Sequence, residues 1–209
     1  MKLVSTSFKH GDAIPPRFAF GKMDPNSHVA LSDNVNPHMA WSDAPAGTQS
    51  FVLVCHDYDV PSKGDDVNQE GKAVPASLPR VDFFHWLLLD IPATVNEIAE
   101  GSQSAGITAR GKAGPAAAEG LRHGINDYTA WFHGDADMGG TYYGYDGPCP
   151  PWNDEILHHY VFTVYALDVP GIEVKGSLTG QNILDALDGH ILGLASMEGT
   201  YTLNPAVAG

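Results

Sequence analysis

Three apolar runs constrain what this chain can become. Phe51 to Cys55, Phe83 to Leu89 and Tyr160 to Leu167 are each of strand length, rich in aromatic and branched side chains, and nearly free of polar alternation. Such a run suits a strand whose two faces are both covered, so a sheet buried on both sides is the natural product. Each run also carries polar groups at or near an end. The first passes through His56 into Asp57, the second contains His85, and the third is entered through His158 and His159. Side chains alternate along a strand. Asp57 and Asp59 are therefore expected on one side, and His158, Tyr160 and Phe162 on one face, with His159, Val161 and Thr163 on the other. The same count puts His85 with Phe83, Leu87 and Leu89.

Between the runs the chain is punctuated by proline and glycine. Residues 1–50 hold Ile14-Pro-Pro-Arg17 and Asn36-Pro-His-Met-Ala-Trp41. The residue before proline is pushed out of the helical region, so these read as extended or turn segments. Trp41 is expected to anchor the core from a short strand. Residues 62–81, broken by Gly64, Gly71, Pro75 and Pro79, form a long loop, and 101–146 read as irregular. Thr94 to Glu100 predicts a short helix. A longer helix is predicted over Thr179 to Leu194, because Ile183, Leu187, Ile191 and Leu194 follow at i, i+4, i+8 and i+11. Thr179 serves as its N-cap, with Asp185 and Asp188 on the wet side. Thr200 to Leu203 predicts a last short strand. The class is mostly β, with one helix near the C-terminus packed on a sheet, and residues 1–209 form one domain.

Composition narrows the partners. With 43% hydrophobic residues there is material for a sizeable core, and no run approaches the roughly 18 apolar residues of a bilayer span. The formal charge of -14 repels phosphate backbones and anionic lipid surfaces, which excludes nucleic acid as an expected partner and disfavours membrane docking. Cys55 and Cys149 make no disulfide framework, and the N-terminus lacks an apolar signal core, so a reduced, cytoplasmic setting is expected.

The chemistry gathers around Asp146-Gly-Pro-Cys-Pro-Pro-Trp-Asn-Asp-Glu-Ile-Leu-His-His-Tyr160. Pro148, Pro150 and Pro151 stiffen a loop that delivers histidine and tyrosine to a buried strand. Asp57 and Asp59, His85, and His158 with Tyr160 together offer carboxylates, imidazoles and a phenol. Imidazole and phenol donate to phosphate oxygens, and a carboxylate can hold a histidine in one tautomer. Each residue also has a plain structural role open to it: a core histidine, or a turn-forming aspartate bonding its own backbone. No zinc, calcium, serine-hydrolase or phosphate-loop motif is present, so no metal or cofactor is expected. Two nucleophilic alternatives remain: Cys149 with His158, or an Asp57-held His85 or His158 as general base of a cryptic hydrolase.

Asp57-Tyr-Asp-Val-Pro61 resembles the Asp-Pro-Asp-Ala-Pro signature of the phosphatidylethanolamine-binding proteins, and Phe84-His-Trp86 the strand that follows it. Gly147-Pro-Cys-Pro-Pro151 leading to His158-His-Tyr160 resembles the family's Gly-x-Pro-Pro…His-Arg-Tyr segment. Asn36-Pro-His-Met-Ala-Trp41, Gly189-His-Ile-Leu192 and Gly199-Thr-Tyr201 look like the bacterial and archaeal, Raf kinase inhibitor-like branch. The resemblance implies a large antiparallel sheet packed on a smaller one, peripheral helices, and a pocket for phosphate or a phosphoethanolamine-type head group. By motif position, the ligand-binding residues would be Asp57, His85, Gly147, Pro148, His158 and Tyr160, with Asp59 and Pro61 shaping the turn. It implies non-enzymatic binding. The alternative it offers is an inhibitor that docks on a protease or kinase, and many relatives in the branch form homodimers. Tyr58, Val60 and His159 depart from the signatures, so the rim is expected to differ.

Overall fold

The computed structural model describes residues 1–208. Its strands are β1 (Lys2–Val4), β2 (Gly21–Asp24), β3 (His28–Leu31), β4 (Met39–Ser42), β5 (Ser50–Pro61), β6 (Arg80–Pro92), β7 (Glu97–Ile98), β8 (Arg122–His123), β9 (His158–Leu167) and β10 (Ile191–Tyr201). Among the described residues two α-helices join them, α1 (Tyr128–Trp131) and α2 (Gly180–Leu187), with short 3-10 turns at Pro16–Phe18 and Ala118–Gly120. The three apolar runs become β5, β6 and β9, the middle of a five-stranded antiparallel sheet in the order β10-β9-β5-β6-β8. A three-stranded sheet, β1-β4-β7, lies against one face, and β2-β3 make a separate hairpin.

Both faces of the large sheet are covered, which is why those runs have no polar alternation. On one face Phe51, Leu53, Trp86, Leu88, Phe162 and Val164 pack against Met39, Trp41 and Ile98 of the small sheet. On the other, Val52, Val54, Leu87 and Leu89 pack against Ile183 and Leu187 of α2. Burying a side chain of this size stabilises by about 1.5–3 kcal/mol, so the two layers hold the strand ends rigidly. Trp41 anchors the first layer as expected.

Two helix expectations fail. Residues 94–100 form a turn and the short strand β7, which pairs with β4. The C-terminal helix stops at Leu187. Asp188 leaves helical geometry and Gly189 takes φ +80°, the left-handed conformation that ends helices and suits glycine. Ile191 and Leu194 then lie on β10, 42% and 51% exposed, so their place in the helical stripe was coincidence. The expected short strand at Thr200 is the far end of this same β10. Thr179 has the extended geometry of an N-cap, but its hydroxyl makes no capping bond.

Candidate functional site

A β-bulge creates the centre of the site. Cys55 pairs with Trp86 and His56 with Phe84, which leaves His85 as an extra residue in β6. A bulge re-aims a side chain by breaking alternation. His85 therefore sits on the face of Phe83, Trp86 and Leu88, and not with Leu87 and Leu89 as parity predicts. Its ring is 3% exposed. Nδ1 donates to the Asp146 carbonyl oxygen at 2.8 Å, and Nε2 makes no hydrogen bond to another residue. Burial, opposed by the Asp57 charge, pushes this histidine down to about 4, so it is neutral with a lone pair on Nε2.

Asp146 is itself fixed from three directions. Its carboxylate accepts from Asn34 Nδ2 at 2.7 Å, Lys112 Nζ at 2.6 Å and Asn126 Nδ2 at 2.8 Å. Burial raises the pKa of this group, and the Lys112 ammonium pulls it back toward the charged form. The hub thus holds the carbonyl that selects the His85 tautomer.

His158 is bound differently. Its Nδ1 donates to Asp57 at 2.6 Å and its Nε2 to Asp154 at 3.1 Å. Asp154 in turn accepts a bidentate pair from Arg80, at 2.6 and 3.0 Å. Burial would neutralise this imidazole, but the bonds to Asp154 and Asp57 outweigh it and raise the pKa to about 9. His158 is therefore a buried cation between two carboxylates. With Arg80 the four groups alternate in sign and sum to zero.

One cavity of about 200 Å³ brings together Asp57, His85, His158, Tyr160 and Pro61. The other predicted residues stand behind its wall or outside it. Gly147 donates its N–H to Asn34 and accepts from the Tyr128 hydroxyl, and a Cβ there would collide with the Phe18 carbonyl. The Pro148 carbonyl is used by Phe20 and Gly21, and it is Cys149, Pro150 and Pro151 that line the cavity. Asp59 turns away because an extra residue interrupts β5 between Asp57 and Val60; its carboxylate accepts from the His159 backbone and ring. Asp57 also accepts from the Asp59 N–H at 2.7 Å, so it is both a turn former and a site residue.

The profile of the phosphatidylethanolamine-binding protein family matches residues 4–202. The chain belongs to that family. It is 30% identical over 202 residues to the UPF0098 protein YbhB of Escherichia coli, covering 97% of this chain and all of the relative. The UPF0098 protein of Aquifex aeolicus is 28% identical, over 96% of this chain and 88% of the relative. The crystal structure of CT736, a phosphatidylethanolamine-binding protein homolog from Chlamydia trachomatis, superposes with TM-score 0.62 at 26% identity, over 96% of this chain and 95% of that one. Escherichia coli YbcL, at 23% identity and TM-score 0.66 over 96% and 97%, shares the fold.

Membership of the phosphatidylethanolamine-binding proteins supports a role of binding type. In this family member the motif residues are completed by partners that sequence reading missed: Arg80, Asp154, Asn34, Asn126, Lys112 and Tyr128. The four-residue spacing of Asp154 and His158 carries no signal outside a helix, and each of the others is 19 to 112 residues from the group it bonds. Among the described residues no helix is long and apolar enough to cross a membrane.

Proposed function

We propose that this chain binds a small phosphorylated ligand, inorganic phosphate or a phosphoethanolamine-type head group, and does not turn it over. The observation that carries the reading is His85 Nε2: a ring nitrogen with no protein partner, in a side chain almost wholly buried, at a cavity that also holds Tyr160. Phosphate monoanion carries a P–OH that donates to that lone pair, and its other oxygens accept from the Tyr160 phenol. Burial, with the Asp57 charge, keeps that phenol protonated at neutral pH. The zero-sum chain of Arg80, Asp154, His158 and Asp57 removes the repulsion that a bare Asp57 carboxylate would present to an anion.

Turnover lacks a suitable group. Burial pushes the Cys149 thiol up to about 12, far from a thiolate nucleophile at neutral pH. His158 already holds its proton, and both its nitrogens are committed, so it is no general base.

Isothermal titration at pH 6.5 with inorganic phosphate and with phosphoethanolamine tests the proposal. Saturable heat is expected from both, with a proton taken up per complex at pH 8, read from titrations in buffers of different ionisation enthalpy. His85→Ala should weaken binding at least about tenfold, the scale of a hydrogen bond to a charged group. A folded protein that gives no heat with either ligand overturns the reading.

A further inference from the structure

Asp57, His85, His158 and Tyr160 are the polar floor of the cavity. Apart from Asn68 the rest of its lining is apolar, and Phe83, Tyr128, Phe132, Trp131, Pro61 and Pro151 make up its aromatic passage. Trp131 is 50% exposed, a large apolar side chain left partly in water. The aromatic side is built to hold its shape. Tyr128 stacks on Phe20 at 4.6 Å and on Phe132 at 5.7 Å, meets Phe83 edge-on at 5.2 Å, and is tied by its hydroxyl to the Gly147 carbonyl. The short helix α1 sets Tyr128 and Trp131 on this wall.

The floor also says what the rest of the ligand is not. Asp57 is the one carboxylate bordering the cavity, and its charge is already matched by the His158 imidazolium on Oδ2, while Oδ1 accepts from the Asp59 N–H. An ammonium group entering behind the phosphate would find no uncompensated carboxylate and would lose water against phenylalanine, proline and tryptophan. An apolar group there would instead be released from water onto a preformed surface.

The geometry points to a phosphate monoester with an apolar alkyl or aryl ester group as the ligand class, the phosphate on His85 and the ester group in the aromatic passage, with Trp131 determining specificity. This rests on the binding reading above and narrows it. It predicts that the passage, and not the floor, separates one phosphorylated compound from another.

Titration of the full-length protein at pH 6.5 with inorganic phosphate, phosphoethanolamine, n-butyl phosphate and phenyl phosphate decides it, repeated on Trp131→Ala. Phenyl and butyl phosphate should bind at least about tenfold more tightly than phosphoethanolamine or inorganic phosphate, the scale of burying a few apolar carbons. Trp131→Ala should reduce the ratio of phenyl phosphate to inorganic phosphate affinity by about threefold or more. Equal affinities across the four compounds, a preference for phosphoethanolamine, or an unchanged ratio in the variant each overturn the inference while leaving phosphate binding standing. No binding by any of the four overturns the binding reading, and this inference with it.

Discussion

His85 and His158 border the same cavity, both almost without solvent contact, yet one is neutral and the other positively charged. His85 rests on a backbone carbonyl held by the Asp146 hub, and burial wins: the ring is neutral and one nitrogen is left for a guest. His158 stands between Asp57 and Asp154, and the carboxylates win: the ring is charged and no nitrogen is left over. The comparison teaches that a buried histidine is a binding group or a structural cation according to its partners. One network presents a side chain to the cavity, and the other neutralises and stiffens the wall beside it.

The difference can be broken most severely at Asp154. Asp154→Ala strands the His158 imidazolium with one carboxylate and Arg80 with none. A buried charge pair cut in this way costs about 3–5 kcal/mol, which urea denaturation at pH 7 would measure. A loss below about 1 kcal/mol would mean that the relay is not a charged one.

The pH dependence of stability is the next largest effect. His158 has its pKa raised from 6.5 to about 9, so its contribution is fully present below pH 6.5 and is lost as pH rises through 9. That loss is on the order of 3 kcal/mol, at about 1.4 kcal/mol per pH unit. His85 runs the other way. Its pKa is lowered to about 4, so the unfolded chain takes up a proton first and stability falls as pH drops from 6.5 toward 4. His123, pushed down to about 4 chiefly by burial, adds to the acid limb. Thermal unfolding across pH 4–9 should therefore peak near pH 6.5. In His158→Gln the alkaline limb should flatten while the acid limb persists.

Asn34→Ala perturbs the other network more gently. It removes one donor to Asp146 and the acceptor for the Gly147 N–H, both buried. The expected cost is about 1–3 kcal/mol, measured by urea denaturation, together with weaker phosphate binding as the His85 anchor loosens. The smallest effect sharpens the comparison from outside. His190 and Asp168 meet at 2.9 Å on the surface, both nearly half exposed. Asp168→Asn should change stability by no more than about 0.5 kcal/mol, which would show that burial, and not the histidine-aspartate contact itself, gives His158 its weight.

Much of the fold was legible because apolar runs without alternation have few outlets other than a doubly covered sheet, and β5, β6 and β9 are that sheet. The C-terminal helix was overextended because Ile191 and Leu194 happened to continue a helical stripe, although Gly189, a ready helix terminator, stood in view. Parity counting failed at His85 and Asp59 for one shared reason: each strand holds an extra residue at the cavity, and nothing local in the sequence marks a bulge. Gly147 and Pro148 stand behind the stretch of wall that Cys149, Pro150 and Pro151 form.

The sequence by itself determined where the three central strands lie, and that carboxylate, imidazole and phenol sit near their ends, because hydrophobic periodicity and proline act over a few residues. Only the tertiary structure decided which histidine is charged and which is open to a ligand. Those states depend on desolvation and on partners such as Asp57, a hundred residues from His158, and Asp146, sixty-one from His85. Such distances in the chain close only when the sheet does.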